Sequence, residues 1–331
     1  MRPNVPAKLP SRSLRPLAIA SLAVCAALAC GSSAHAQSIG CGSVVGPNQT
    51  VVLDADLACT RGTGGITVIG PATLDLGGHL IGCAAEADRA IGVTLVGKRA
   101  QLKNGSVLAC KVGVEMADDG RHRVEQVVAT ANVEAAFRLD SDASTLRGST
   151  GGGTTSGIDF VVRGDRNLLE GNTTLVAGLQ PAPIGFRVLG NANRLRGNTA
   201  GNHTLLGFSV DFPFERNVLQ GNTATGNGSA GIAIDTPRTS VTGNVVTANG
   251  REGIFVTASS SRITRNDVRD NGTTGIRILG GVGGNVISRN TALNNDRRGV
   301  GAFDLQDSTP ECGTNRWSAN LFATAGQPCI E

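Results

Sequence analysis

Apolar residues alternate with polar or small residues in runs of only three to five positions, and these runs recur at a nearly constant interval along most of the chain. Each run follows the pattern small, apolar, any residue, apolar, as in GIAI at 231 and GIFV at 253. Alternation with a period of two predicts β-strands, because successive side chains of a strand point to opposite faces. The Gly, Asn, Thr and Ser residues that interrupt the runs predict short strands joined by turns.

The pattern occurs in ten copies, which begin at residues 92, 113, 136, 157, 185, 207, 231, 253, 275 and 302. A repeat of 20-odd residues indicates a solenoid. Helical repeats would need longer periodic stretches rich in Leu, Ala, Glu and Lys, and a leucine-rich repeat would need a regular Leu framework that is missing here. Each copy therefore predicts one coil of a β-helix, with the coils sharing one narrow core. The residues predicted to point inward in aligned columns include Ile232, Ile234, Ile254, Val256, Ile276 and Ile278.

Asparagines recur once per coil, just after Gly or Arg, in the second half of the chain. They are Asn172, Asn198, Asn222, Asn244, Asn266 and Asn290. Asn tolerates left-handed backbone at corners, and identical side chains stacked between coils can bond to one another as a ladder. The recurrence therefore predicts structural corners, and the alternative is a glycan acceptor at Asn172 or Asn227, each of which begins an Asn-x-Ser/Thr triplet.

The segments GNVVTANGREGIFV and RNDVRDNGTTGIRIL resemble the right-handed parallel β-helix repeats of pectate lyases, other carbohydrate-active enzymes and NosD-type periplasmic proteins. The resemblance covers roughly residues 65–310, while LDLGGHLIGC at 74–83 is similar to a first coil and the tail from 307 to a closing segment. It implies an all-β protein, a right-handed single-stranded parallel β-helix of about ten coils. The expected order is an N-terminal cap at 37–64, the β-helix at 65–310 and a C-terminal cap at 311–331. Such repeats specify fold more than activity.

Residues 1–36 differ in composition from the rest of the chain. Four basic residues and an apolar run precede AHA at 34–36, which predicts a secretory signal peptide and a secreted or periplasmic protein. The run is shorter than the roughly 20 apolar residues of a transmembrane helix, so no transmembrane segment is predicted. The alternative is a lipoprotein modified at Cys30, although Ala27 stands where a larger aliphatic residue is usual.

The charge balance restricts the possible binding partners, and the cysteine content predicts disulfides. Residues 37–331 hold 26 basic and 26 acidic residues, so the balance gives no support to nucleic acid binding. The six cysteines outside the leader lie in near pairs, and their proximity favours disulfides among the possible pairings. These predicted disulfides are Cys41 with Cys59, Cys83 with Cys110, and Cys312 with Cys329. A zinc site is the competing reading, but the chain has no CxxC and few histidines.

Charged residues recur at the outward position between the two apolar residues of each copy. The column reads Thr94, Glu115, Arg138, Asp159, Arg187, Ser209, Ala233, Phe255, Arg277 and Asp304. Four consecutive members alternate in sign, from Glu115 to Arg187, which predicts ion pairs between stacked coils. In pectate-lyase-like clefts such residues hold calcium or abstract a proton, and this reading stays open.

The next outward column brings two carboxylates together. It reads Val96, Ala117, Asp140, Val161, Leu189, Asp211, Asp235, Thr257, Leu279 and Gln306. Carboxylates one coil apart repel unless a cation or proton is shared, as in glycosidase pairs and metal sites. Ser209, Asp211 and Asp235 are therefore the predicted polar ligand site, where replacing both carboxylates by Asn should leave the fold intact or stabilise it. Alternatively, Asp235 only starts a turn before Pro237.

The predicted function follows from the scarcity of aromatic residues and histidines. The chain has no Tyr and one Trp, which disfavours a sugar cleft lined by aromatic faces, and scattered histidines disfavour the copper site that the NosD resemblance suggests. Two insertions, at 173–184 and 294–301, are the loops expected to carry binding residues. The leading prediction is a binding or surface-interaction scaffold without cofactor, contacting a polysaccharide or cell-surface component. The alternative is a lyase, epimerase or glycosidase that acts on uronic-acid polymers through surface carboxylates, with calcium as its cation; no catalytic residue is identified.

Overall fold

The computed structural model describes residues 39–60, 63–83, 90–154, 157–175 and 181–331. The predicted leader and part of the 173–184 insertion lie outside these ranges. Within them the chain forms 34 short strands and one 3-10 turn, Pro310–Cys312. No helix in the described ranges has the length and apolar character needed to cross a membrane. The prediction of an all-β chain is confirmed.

In chain order the strands are β1 (Val44–Val45), β2 (Thr50–Val52), β3 (Leu57–Cys59), β4 (Ile66–Gly70), β5 (Thr73–Asp75), β6 (Leu80–Cys83), β7 (Ile91–Gly97), β8 (Gln101–Leu108), β9 (Val112–Met116), β10 (Arg123–Thr130), β11 (Ala135–Leu139), β12 (Thr145–Arg147), β13 (Thr150–Gly152), β14 (Ile158–Val162), β15 (Leu168–Glu170), β16 (Thr173–Leu175), β17 (Ile184–Val188), β18 (Arg194–Arg196), β19 (Thr199–Gly201), β20 (Leu206–Val210), β21 (Val218–Gln220), β22 (Thr223–Thr225), β23 (Ile232–Ile234), β24 (Ser240–Thr242), β25 (Val245–Thr247), β26 (Ile254–Val256), β27 (Arg262–Thr264), β28 (Asp267–Arg269), β29 (Ile276–Ile278), β30 (Val286–Ser288), β31 (Thr291–Leu293), β32 (Leu305–Asp307), β33 (Arg316–Ser318) and β34 (Leu321–Phe322).

Successive coils stack in three parallel sheets, which we call faces 1, 2 and 3. Face 1 is the sheet β1-β4-β7-β9-β11-β14-β17-β20-β23-β26-β29-β32, built from the repeated small-apolar-x-apolar segments. Face 2 runs from β2 to β33 and face 3 from β3 to β34, and the long strands β8 and β10 belong to both. All these pairings are parallel, which confirms the predicted parallel β-helix.

The core is one continuous buried cluster from Ile39 to Ile330. The Ile and Val residues that the repeat predicts to point inward are all fully buried, and β23, β26 and β29 align them in columns. Four phenylalanines, Phe137, Phe160, Phe186 and Phe208, occupy the same inward position of face 1 in successive coils. Their rings stack with centroids 5.1, 4.3 and 4.8 Å apart, close to the spacing between adjacent strands.

The corner between faces 2 and 3 carries the predicted asparagine ladder, which continues to Asn320. In one step, the backbone N–H and the Nδ2 of Asn222 both donate to Oδ1 of Asn244, at 2.8 and 3.0 Å, while Nδ2 also donates to the Leu195 carbonyl at 2.9 Å. Asn172 and Asn227 are 0% and 1% exposed, so the folded protein does not present either as a glycan acceptor.

Two further ladders line the other corners, which the sequence analysis did not separate from the first. The corner between faces 3 and 1 carries His203, Asn227, Asn249, Asn271 and Asn295, and the corner between faces 1 and 2 carries Ser144, Asn167, Asn193 and Asn217. These side-chain acceptors satisfy corner N–H groups that no strand partner reaches.

The three predicted disulfides are confirmed, and each lies near one end of the stack. Cys41–Cys59 closes the coil made by β1, β2 and β3, which stacks in register on β4, β5 and β6. Cys83–Cys110 joins two neighbouring coils. Cys312–Cys329 closes the tail, where β33 and β34 extend faces 2 and 3. The regions predicted as caps therefore contain stacked strands.

Two predicted outward positions are wrong. Arg138 pairs in register with Val161, so Asp159 lies level with Gly185, at the small-residue position, and its side chain is 1% exposed. Arg277 likewise pairs with Gln306, which places Asp304 at the small-residue position with 3% exposure. An alternating pattern looks the same when the strand is shifted by two residues. It therefore predicts which side chains point to the same side of the sheet, but not which residue of the neighbouring coil each one pairs with. Both segments carry Asp where other copies carry Gly or Ala.

Candidate functional site

The outer surface of face 1 carries charges that largely satisfy one another. Nε of Arg138 lies 2.8 Å from Oε1 of Glu115 and 3.3 Å from Oδ2 of Asp140, and Nη1 of Arg163 lies 3.3 Å from Oδ1 of Asp140. The predicted pair of Glu115 with Arg138 is confirmed, whereas Asp140 replaces the buried Asp159 as the next acidic partner. This part of face 1 is an ion-pair ladder.

The structure brings the predicted site residues Ser209, Asp211 and Asp235 together on neighbouring coils. Ser209 pairs in register with Ala233, so Asp211 and Asp235 follow at the same level. Oδ2 of Asp211 lies 2.6 Å from Nε of Arg187, and the Ser209 hydroxyl donates to Oδ1 of Asp211. The negative charge of Asp211 is thus neutralised by Arg187 of the preceding coil.

Asp235 has a partner on the other side. Oδ1 of Asp235 accepts a hydrogen bond of 2.5 Å from the Thr257 hydroxyl of the following coil. Each carboxylate therefore has its own side-chain partner within the protein, so the two do not need to share a cation or a proton.

An exposed aromatic residue stands beside this site. Phe212, which directly follows Asp211, is 74% exposed in the turn between β20 and β21. On the same face, the Arg277 guanidinium lies 5.6 Å from the ring centre of Phe255. The sequence analysis noted only that aromatic residues are scarce and did not single out Phe212. The signal was DFPFER at 211–216, because the corner that contains it is two residues longer than the same corner in the preceding coil.

The two titratable groups with the largest pKa shifts lie inside the coil stack rather than in a cleft. Burial raises the pKa of Asp159 to about 7, although its Oδ1 accepts a 2.9 Å bond from Thr154. Burial lowers the pKa of His203 to about 4; its Nδ1 donates to the Ala182 carbonyl at 3.2 Å and its Nε2 accepts from Thr174 at 3.0 Å. Because both side chains are sealed from solvent, they cannot reach a polymer on the surface.

The side chains of the described residues do not fit copper, whose usual protein ligands are His, Met and Cys. Met116, His122 and His203 are buried, His79 is held 3.1 Å from Asp56, and the cysteines of residues 39–331 are all in disulfides. Across the described ranges, no group of three His, Cys, Asp or Glu side chains is placed to hold a metal ion.

Face 2 carries a groove of about 780 Å³ that the sequence analysis missed. Arg166, Arg194 and Arg196 line it, with Leu168 and Val218 as apolar walls. Among the described residues, Arg194 has no carboxylate within ion-pair distance, while Arg196 reaches Glu170 only at 3.9 Å. The signal was RLR at 194–196, since a buried Leu between two residues of a strand directs both arginines outward.

Arg147 and Arg166 add to the positive charge around this groove. Nε of Arg147 lies 3.4 Å from Oε2 of Glu170, the carboxylate that Arg196 also approaches. Arg166 pairs with Asp142 at 3.0 Å. Four arginines are thus set against two carboxylates, and the groove surface is basic.

Several solved structures share this architecture at low sequence identity. The A-module of the mannuronan C-5 epimerase AlgE6 from Azotobacter vinelandii is 17% identical, with a TM-score of 0.55 over 78% of this chain and 71% of that one. The periplasmic alginate epimerase AlgG is 11% identical, with a TM-score of 0.53 over 87% and 80%. The catalytic unit of a GH87 alpha-1,3-glucanase from Streptomyces thermodiastaticus is 12% identical, with a TM-score of 0.56 over 88% and 65%. These likenesses show the fold alone.

No curated protein sequence matches the chain. The family model described as periplasmic copper-binding protein (NosD) matches residues 137–321, which is more than half of the 331 residues. The family is periplasmic, and the three disulfides agree with an exported protein. The matched coils run from β11 to β34 and contain both the face 2 groove and the Ser209 site. The chain belongs to the NosD family of periplasmic β-helix proteins.

Proposed function

We propose that this protein is a periplasmic binding protein for an acidic polysaccharide and that the face 2 groove is its binding site. The observation that carries the proposal is the exposed basic groove, in which Arg194 has no ion pair with any described residue. Guanidinium groups bind carboxylates through paired, charge-assisted hydrogen bonds. A groove of this kind favours a sugar polymer that carries carboxylates.

The composition of the lining supports an acidic rather than a neutral ligand. Its apolar walls include Leu168 and Val218, and no aromatic ring of the described residues lines it. Neutral pyranoses are usually held by stacking on aromatic faces, which this groove does not offer. Two of the similar folds belong to proteins named as epimerases of mannuronan and alginate, both uronic-acid polymers. Copper does not enter this proposal, because the buried and disulfide-bonded donors do not fit it.

The double variant Arg194→Gln/Arg196→Gln is expected to bind polygalacturonate at least tenfold more weakly than the wild type, since each hydrogen bond to a charged group contributes about 1.5–3 kcal/mol. Titration calorimetry at low and high salt measures this, and the wild-type affinity should fall as salt rises. Neutral dextran should not bind.

The matched control is Arg297→Gln/Arg298→Gln, which removes the same charge from the exposed loop at 294–301. It should bind like the wild type. An equal loss in both double variants, or binding of dextran as tight as that of polygalacturonate, would show that the groove is not the site.

A second candidate function is catalysis on uronic-acid polymers at Ser209, Asp211 and Asp235, with calcium as the cation. The observation that favours it is Phe212, whose exposed ring beside Asp211 could stack on a sugar. The Arg187 contact changes the expected effect of mutation, because Asp211→Asn leaves that guanidinium without its partner. Since the pair is partly exposed, the expected loss of unfolding free energy is about 1 kcal/mol.

An activity screen against uronic-acid polymers, with and without calcium, separates the two functions. A binding protein yields neither unsaturated ends nor epimerised sugars, and we expect that result. Product formed by the wild type and lost in Asp211→Asn/Asp235→Asn, with folding verified by circular dichroism, would establish the second function instead. Glu311→Gln, an exposed carboxylate on the closing segment, is the control for the change in charge.

A further inference from the structure

We infer that a second anion-binding site lies on face 2 beyond the groove, formed by Arg262, Arg265, Arg289 and Arg316, and that one acidic polysaccharide chain spans both. This inference rests on the proposed function and adds where the ligand lies and in which direction it runs. All four arginines are exposed, and none has a carboxylate of the described residues within ion-pair distance.

The stacking of coils fixes the spacing of the four side chains. Arg262 and Arg316 both pair in register with Val286, so they occupy one column two coils apart, about 10 Å. Arg265 and Arg289 directly follow the paired residues Thr264 and Ser288, which places them on adjacent coils, about 5 Å apart.

Two like charges at this spacing repel, and none of the described carboxylates forms an ion pair with them. The nearest acidic residue in sequence, Asp267, is already held by Arg269 at 2.5 Å. Ser288 and Ser318 occupy one register position on adjacent strands of this face, and their hydroxyl groups can donate or accept hydrogen bonds. The Thr264 hydroxyl is buried and lies 3.1 Å from that of Thr242. An anionic ligand would relieve the repulsion.

The backbone at this corner gives an independent reason to assign a role to two of the arginines. The same corner position is glycine in five preceding coils, Gly148, Gly171, Gly197, Gly221 and Gly243, with φ between 55° and 64°. Arg265 and Arg289 continue that series at φ 56° and 57°, where a side chain is disfavoured and glycine is not. Positive φ alone is no mark of function, because Arg99 and Arg121 share it. The change from glycine to arginine within one corner series is what points to a use for the charge of Arg265 and Arg289.

The groove and the arginine cluster lie on one line parallel to the coil axis. Arg194, Val218, Ser240 and Arg262 pair in register one after another, so Arg194 and Arg262 are three coils apart, about 14 Å. A polymer lying along face 2 from the groove therefore reaches the cluster without turning. A polysaccharide with a carboxylate on each sugar could pair with this row of arginines, whose spacing is a multiple of the distance between coils.

The test variant is Arg265→Gly/Arg289→Gly in the full chain, because it restores the residue of the preceding coils. Its thermal midpoint should equal or exceed that of the wild type. Its affinity for polygalacturonate should fall at least tenfold, with a shallower dependence of log Kd on log salt concentration. Digalacturonate, which is too short to span both sites, should bind at the groove with unchanged affinity.

The matched control is Arg99→Gly/Arg121→Gly. These arginines are also exposed, also at positive φ (64° and 57°) and also on adjacent coils without an ion pair among the described residues, but Asp118, Asp119 and Asp142 lie beside them in sequence or register. This variant should bind polygalacturonate like the wild type. Equal losses in the two variants, or no loss in Arg265→Gly/Arg289→Gly, would overturn the inference.

The outcomes separate this inference from the proposed function. If wild-type protein binds polygalacturonate, Arg194→Gln/Arg196→Gln weakens that binding and Arg265→Gly/Arg289→Gly does not, only the second site is refuted. If the wild type does not bind polygalacturonate, both fail. Tighter binding of a single-stranded oligonucleotide than of polygalacturonate would also overturn the inference, since the cluster would then recognise phosphates.

Discussion

Replacing Phe186 with alanine is expected to lower the free energy of unfolding by about 3–5 kcal/mol. The ring is fully buried between Phe160 and Phe208, with centroid distances of 4.3 and 4.8 Å. Coils above and below are held at a fixed spacing by backbone hydrogen bonds, so they cannot collapse into the cavity. Urea unfolding followed by far-ultraviolet circular dichroism measures the change.

Phe212→Ala is the matched control, because it removes the same ring from a position that is 74% exposed. Surface substitutions of this kind change stability by about 0.5 kcal/mol or less. If Phe186→Ala were no more destabilising than Phe212→Ala, the stacked rings would not support the core.

The second large effect is expected at the asparagine ladder, where Asn244→Ala should destabilise the protein by about 3 kcal/mol or more. Oδ1 of Asn244 accepts from both the N–H and the Nδ2 of Asn222, and its own Nδ2 donates to the Leu219 carbonyl and to Asn266. Alanine leaves the Asn222 N–H and the Leu219 carbonyl buried without these partners, at about 1–3 kcal/mol each. Hydrogen exchange of the Asn222 amide should accelerate as well.

The comparison variant is Asn320→Ala at the end of the same ladder. Asn320 is only half-buried and accepts from Asn290, but no further asparagine among the described residues follows it. Water can replace its bonds, so the loss should be less than half of that at Asn244. Equal losses at the two positions would mean that the side chains act as turn formers and not as a ladder.

The fold was predictable because each coil repeats the same arrangement of buried apolar residues and corner residues. A small residue, two inward apolar residues separated by one position and a corner Asn recur at about 22 residues, and the register of Ile232, Ile254 and Ile276 followed directly. The disulfides were predictable because their cysteines are close in sequence. Each of these features is local to one or two coils.

The errors came where a residue departs from the pattern while alternation is preserved. Asp159 and Asp304 occupy small-residue positions inside the corner, and only the bonds they make reveal their level. Asp304 accepts from Asn295 and so ends a ladder, whereas Asp159 lies 3.8 Å from His203. Period-two patterns carry no information about such interior polar contacts.

The candidate site was only partly predictable, because binding depends on which charges remain after the chain has paired its own. Asp211 stood out in the sequence, yet Arg187 neutralises it in the structure. Arg194 was unremarked, yet it is one of the arginines that keep no partner among the described residues. The equal numbers of basic and acidic residues over 37–331 concealed a basic face, since the acidic residues form ion pairs elsewhere.

The constant length of the coils between β23 and β29 makes the distance between the groove and the arginine cluster adjustable in whole steps. In-frame loss of residues 239–260, which span one 22-residue period, would join matching corners and bring Arg194 and Arg262 from three coils apart to two, about 5 Å closer. Duplication of the same segment would separate them by as much. Gain or loss of a single coil by recombination would thus change the length of polymer needed to span the two sites, while the arginines that form each site stay the same.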